Sequence, residues 1–233
     1  MSLIRLDKFV SVALNLSRAD TKKILRDGKI SVDGVCIKKG DFKVNNETMC
    51  VKLGNEKLEY KEFIYILMNK PAGILSASND KRAKTVVDIV PDNLKREGLF
   101  PVGRLDKDTT GFLIITDDGD FTHKIISPKS NIEKVYLAQL DGEITQEMIE
   151  KFKSGIILAD GTQCMPAKLE RAGDCSALIK IREGKYHQVK RMFGTVGLGV
   201  NKLHRKSIGG LSLPEDLEYG CCIELSKEDL QNI

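Results

Sequence analysis

Apolar residues recur first at helical spacing and then in alternation, and the switch between the two periods lays out the N-terminal quarter of the chain. Leu6, Phe9, Val10, Ala13 and Leu14 predict a short amphipathic helix over residues 5–15. In a second helix Ser17 serves as N-cap with Asp20 three residues on, Ile24 and Leu25 face inward, and Gly28 is the stop. Arg18, Lys22 and Arg26 recur at every fourth position, which aligns three cations on its exposed face. In KISVDGVCIKKG, Asp33-Gly34 separates the alternating pairs Ile30/Val32 and Val35/Ile37, the pattern of a two-residue hairpin. The polar stretch KLGNEKLEYKE after it reads as a linker. The domain limits expected are 1–55, a linker over 56–62, and 63–233.

In the larger part, residues 63–68 predict a strand that the NKPAG segment turns, because Pro71 and Gly73 break regular structure. Residues 112–116 read as a buried strand closed by Asp118-Gly119, and residues 134–140 and 176–182 alternate as strands do. Residues 146–153 predict a helix ending at Gly155. Over residues 186–196, Val189, Met192, Phe193 and Val196 share one helical face, and His187, Lys190 and Arg191 lie opposite. Strands outnumber helices and several are hairpin-joined. The expected class is α+β, with a mixed, mostly antiparallel sheet and packed helices.

Composition narrows the picture. With 41% hydrophobic and 30% charged residues the chain is globular. No run reaches the roughly 18 apolar residues of a membrane span, and MSLIRLDKFV is charged where a signal peptide is apolar. A cytoplasmic protein without a membrane partner, acting as a monomer, is expected. The six cysteines form no C-x-x-C pair and have no histidine at zinc-ligand spacing, so they read as reduced, buried small hydrophobes, and no metal site is expected.

The net charge of +4 is modest but unevenly placed. Residues 1–59 carry 12 Lys+Arg against 8 Asp+Glu, and the remainder is balanced at 25 of each. Within that remainder, residues 180–206 hold Lys180, Arg182, Lys185, Lys190, Arg191, Lys202, Arg205 and Lys206 against Glu183 alone. Two local basic patches point to a specific anionic surface such as RNA.

The chemistry centres on Asp106 in GRLDKDTTGFLIITDDGDF. Asp106, Asp108, Thr110, Gly111, Leu113 and Asp117 match positions 1, 3, 5, 6, 8 and 12 of a calcium loop. Context is against it: Gly98, Pro101 and Gly103 precede the loop where a helix is needed, and position 12 lacks the bidentate Glu. A two-carboxylate glycosidase would need a second acid about 5–9 Å away. Asp108 could reach, but Thr109-Thr110-Gly111 reads as a turn. In the third reading Asp106 is a lone nucleophile or base in a pocket that receives one nucleotide.

Two resemblances favour the third reading. Residues 3–50, with the opening Arg-Leu-Asp-Lys, the Ser-Arg of helix two and the Gly-Lys-Ile-x-Val-x-Gly hairpin, resemble the S4 (α-L) RNA-binding domain. That resemblance makes Arg5, Arg18, Lys22, Arg26 and Lys29 phosphate contacts, which position a protein without reading sequence. GRLDKDTTGFLIITDDG, EKVYLAQLDG and REGKYHQVKRMF, with NKPAG upstream and LHRKSIGGL downstream, resemble the motifs of bacterial ribosomal pseudouridine synthases. The S4 pairing, and GKYHQVKRMF in particular, point by resemblance to the branch acting on the small ribosomal subunit. The partner implied is 16S rRNA or a small-subunit assembly intermediate.

The resemblance implies that Asp106 attacks a target uridine, the glycosidic bond breaks, and the uracil turns and rejoins through C5. Attack on base or sugar, or passage through a glycal, stays open. No net redox change or hydrolysis occurs, so no cofactor or metal is implied. Lys185 is expected to be the cation that keeps Asp106 ionised. Tyr136 would stack on the extracted base, and Arg104 would fill its gap or grip its phosphate. His187, Lys190, Arg191, His204 and Arg205 would line the approach of the RNA. The competing assignments are a large-subunit (23S) rRNA synthase and a non-catalytic S4-domain assembly factor.

Overall fold

The computed structural model describes residues 3–127 and 129–233, and the chain divides between Phe63 and Ile64 into two compact units. The first contains β1 (Leu3–Arg5), α1 (Leu6–Leu14), α2 (Arg18–Arg26), β2 (Ile30–Val32), β3 (Val35–Cys36), β4 (Lys43–Asn45), β5 (Val51–Leu53) and β6 (Glu56–Lys57). β1 pairs with β4, and the other strands form a sheet in the order β3-β2-β5-β6. Leu6, Phe9, Val10 and Leu25 bring the apolar stripes of both helices onto Ile30, Val32, Val44 and Val51. Ser17 Oγ accepts the Asp20 N–H at 3.2 Å, the cap its position predicts. At the β2–β3 turn Asp33 and Gly34 have φ of 49° and 83°, the two positive values a type I′ hairpin needs.

The expected linker is built into this unit. β6 pairs with β5, Leu58 is buried, and the Tyr60 ring stacks on Phe9 at 5.3 Å. Two apolar anchors in a charged stretch were enough to fix it, and the polar composition around them hid their role.

The second unit contains β7 (Tyr65–Lys70), β8 (Phe100–Pro101), β9 (Thr110–Thr116), α3 (Gly119–Ile126), β10 (Lys134–Leu140), α4 (Gln146–Ser154), β11 (Lys168–Gly173), β12 (Ser176–Ile181), α5 (Gln188–Thr195), β13 (Val200–Ile208), β14 (Leu211–Ser212), β15 (Cys222–Glu224) and α6 (Lys227–Leu230). One mixed sheet runs β11-β12-β10-β13-β9-β7-β15, with β8 and β14 paired at its side. Its pairings are antiparallel apart from β9 with β13. Strand alternation sends Ile66, Met68, Leu113, Ile115, Tyr136 and Leu203 to one core, and Leu67, Phe112, Ile114 and Ile208 to another on the opposite face. Where β9 meets β13, a side chain at Gly111 would come within 2.3 Å of the Arg205 carbonyl, and φ is +102°. Only glycine fits there.

Asp118-Gly119 does more than end a strand: the Asp118 carboxylate accepts the Phe121 N–H at 2.9 Å and starts α3. Of the cysteines, all free thiols, Cys164 is buried, whereas Cys36, Cys175 and Cys221 are exposed, contrary to the expected burial. Among the described residues no helix is long and apolar enough to cross a membrane.

Candidate active site

The segment from Gly103 to Thr109 carries Asp106 from β8 into β9, and the NKPAG segment holds its backbone from beneath. Leu105 is buried, and its N–H and carbonyl both bond the Ser76 hydroxyl, at 3.1 and 2.9 Å. Gly73 N–H donates to the Lys107 carbonyl at 2.7 Å. Lys70 is fully buried, with its ammonium among the carbonyls of Pro71 (3.0 Å), Asp106 (3.2 Å), Lys107 (3.3 Å) and Thr109 (2.9 Å). Burial pushes its pKa down to about 8, against the pull of Asp108 and Asp106, and Arg205 adds to the fall. Sequence reasoning took this segment as a turn and missed its lysine. The available signal was a charge at the end of the apolar run FIYILMNK.

The Asp106 carboxylate is partly exposed and faces a histidine and a lysine. His187 Nε2 lies 3.4 Å from Oδ1 and Lys190 Nζ 3.5 Å from Oδ2. Lys190 also donates to both Asp108 oxygens, at 2.6 and 2.8 Å, and this bond holds the Asp108 carboxyl below the usual range. The Lys190 ammonium at these two carboxylates occupies the place a calcium ion would take. Asp117, the twelfth residue of the calcium pattern, is bonded by Arg96 and by the Ile64 N–H.

Lys185 was expected to be the cation at Asp106, and the structure corrects this. It lines the same pocket, but its ammonium pairs with Glu183 and donates to the Gln163 carbonyl at 3.0 Å. Glu183 is a local hub, accepting also from Gln188 Nε2 at 2.6 Å and Met165 N–H at 2.8 Å. A carboxylate two residues away captures Lys185, while the first turn of α5 delivers Lys190 to Asp106. His187, at the start of that helix, has φ +47° and stacks on Tyr186 with ring centroids 3.8 Å apart. A non-glycine residue in this conformation stores strain at the mouth of the pocket.

Tyr136, 7% exposed, lies in the wall of the pocket, and Arg104 and Leu105 lie beside Asp106 in its lining. Arg205 is 3% exposed, which rules out the surface contact expected of it. Its Nε donates to the Phe112 carbonyl at 2.8 Å, Nη1 lies 3.4 Å from the Tyr136 hydroxyl, and Nη2 has no partner among the described residues. His204, one residue earlier, projects from the other face of β13, where it hydrogen-bonds with Thr110 Oγ1 at 2.9 Å, so it does not line the approach to Asp106. Arg191 is committed to Asp160 at 2.6 Å. That bond adds to those from Thr162, the larger cause, in lowering the Asp160 pKa to about 2.

Residues 64–195 match the family described as RNA pseudouridylate synthase, and residues 4–49 match the S4 domain. The chain belongs to the RNA pseudouridylate synthase family. The synthase is 40% identical to the uncharacterized RNA pseudouridine synthase YtzG of Bacillus subtilis over 97% of both chains. It is 39% identical to ribosomal small subunit pseudouridine synthase A of Vibrio cholerae over 99% of both. For the Escherichia coli protein of that name the identity is 36%, over 99% of this chain and 100% of the relative. A solved pseudouridylate synthase superposes with a TM-score of 0.69 at 35% identity, over 98% of this chain and 99% of that one. In the S4 domain of the synthase, Arg5, Arg18, Lys22, Arg26 and Lys29 are all exposed, and Arg5 also pairs with Asp7 at 2.6 Å.

Proposed function

We propose that this pseudouridine synthase converts one uridine of small-subunit (16S) ribosomal RNA to pseudouridine, with Asp106 as the nucleophile. The observation that carries the chemistry is a partly exposed carboxylate set between His187 and Lys190 in the pocket that Tyr136 walls. Near-complete coverage of relatives named ribosomal small subunit pseudouridine synthase A supports the choice of RNA.

The reaction breaks C1′–N1 and forms C1′–C5; N1 gains a proton and C5 loses one, so atoms and electrons balance within the nucleoside. Asp106 captures the uridine at the base or the sugar, which divides one hard step into easier ones. Lys190 holds the carboxylate against the repulsion of RNA phosphates, and Lys70 fixes the backbone that presents it. Tyr136 packs on the extracted base, and Arg104 occupies the gap it leaves. Extraction costs a few kcal/mol of unstacking, least where the RNA is already irregular. The pocket encloses about 70 Å³, below the roughly 300 Å³ at the low end of ligand sites, so the nucleotide displaces surface side chains such as His187 on entry. The enzyme works in the cytoplasm as a monomer on rRNA or a small-subunit assembly intermediate.

The test is pseudouridine mapping of small- and large-subunit rRNA incubated with the protein. One new site in 16S rRNA is expected, and Asp106→Asn abolishes it while RNA affinity stays within a few-fold. A site confined to 23S rRNA would overturn the substrate. An active Asp106→Asn enzyme would overturn the nucleophile.

A further inference from the structure

The proposed reaction uses one face of the sheet. On the opposite face lies a cleft of about 620 Å³, within the roughly 300–1,000 Å³ of sites that enclose small ligands. The floor of this cleft includes Leu137 of β10 and Thr110 of β9. Lys202, His204 and Lys206, alternate residues of β13, form one side of it, spaced by the two-residue strand repeat of about 6.6 Å. That spacing is comparable to the step between neighbouring phosphates in an extended strand. Both lysines are exposed. Burial, then Lys206, lowers the His204 pKa, which leaves the lysines as the cations of the row.

Tyr219 stands against His204, edge-on at 5.9 Å, and is 63% exposed, so most of its ring is open to a ligand. Asn69, 6% exposed, borders the cleft; its Nδ2 donates to the Leu217 carbonyl at 2.7 Å and its Oδ1 has no partner among the described residues. Glu215 and Glu218 also line the cleft. A ligand here meets cations along β13, an aromatic plane, and acceptors suited to N–H groups. Phosphate, base face and base edge supply that combination together, and an acidic peptide or a lipid headgroup lacks the flat base.

We infer that this cleft is a second RNA subsite, which takes an unpaired nucleotide of the substrate other than the target uridine, with phosphates along Lys202 and Lys206 and the base on Tyr219. The inference rests on the reading of the substrate as RNA. Thr110, on the cleft floor, follows Asp106 by four residues, so the two sites grip RNA on opposite faces of one strand and its turn.

The test uses the full chain and a fluorescent single-stranded oligouridylate, with affinity read across a salt series. Base stacking is worth about 1–3 kcal/mol, so Tyr219→Ala weakens binding about tenfold or more. The Lys202→Ala/Lys206→Ala double variant lowers the slope of log affinity against log salt by about 1.4, at roughly 0.7 per phosphate contact. Because Tyr219 is exposed, the variant keeps the melting temperature of the parent, and its defect on rRNA falls in KM more than in kcat. Oligouridylate carrying 4-thiouridine cross-links to Tyr219 or its neighbours. Parental affinity and salt slope in both variants, or cross-links confined to other surfaces, would overturn the subsite. If the parent forms no pseudouridine in rRNA yet these variants lose oligouridylate, the subsite stands and the proposed reaction falls.

Discussion

Lys190 is shared between two carboxylates, and that sharing decides how the candidate nucleophile is held. It is hydrogen-bonded to Asp108 and sits 3.5 Å from Asp106, so its position is fixed before substrate arrives. Lys185, five residues earlier and in the same pocket, has its charge committed to Glu183. The two lysines should therefore respond differently to removal. Lys190→Met is expected to lower single-turnover pseudouridine formation by about 100-fold or more, the scale for loss of one preorganised electrostatic group. Lys185→Met is expected to cost less than about tenfold. A larger loss for Lys185→Met would return it to the role the sequence suggested. Sequence identified both lysines as belonging to one motif. It could not choose between them, because the choice depends on Glu183 folding back on Lys185 and on the turn of α5 that aims Lys190.

Elements, more than single side chains, set the shape of the Asp106 loop. The end of β7 inserts Lys70 under the loop, β8 and β9 hold its two ends, and the contact of β9 with β13 at Gly111 sets the depth at which it sits. The buried ammonium leaves a signature in pH. With the folded pKa at about 8 against the ordinary 10.5, the unfolded chain retains a proton over that interval that the folded chain has released. Stability from this group therefore rises with pH between about 8 and 10.5, and below 8 a charge stays buried at a cost. Lys70→Met abolishes this dependence. The stability of the parent relative to the variant should climb from about pH 7.5 to 9.5 in thermal melts, and parallel profiles would contradict a buried cation. The variant should also lose turnover, since its loop has three fewer contacts to an ammonium. At this scale the sequence was informative about α1, α2, α4, α5 and the strands around Tyr136 and Ser176, where periodicity is strong. It missed α3, whose start is marked by a capping aspartate that reads equally well as a turn.

Across the whole molecule, the basic excess of residues 1–59 is separate in sequence from Asp106. Neutralising Arg18, Lys22 and Arg26 one at a time should reduce the salt slope of rRNA binding by roughly 0.7–0.9 per contact, with the kinetic loss in KM. Unchanged slopes would remove that face from the RNA interface. The chain by itself determined two units, the helix-helix-hairpin order of the first, a mixed sheet in the second, and Asp106 as the residue of interest. These follow from local periodicity, capping and turn chemistry, which act over a few residues. Tertiary structure alone decided that residues 56–62 belong to the first unit, that Lys190 and His187 meet Asp106, that Lys70 supports it, and that Arg205 and His204 point to opposite faces of β13. Each of these joins groups distant in sequence or depends on which face of a strand meets the core, and a period specifies neighbours on a face without specifying what that face will touch.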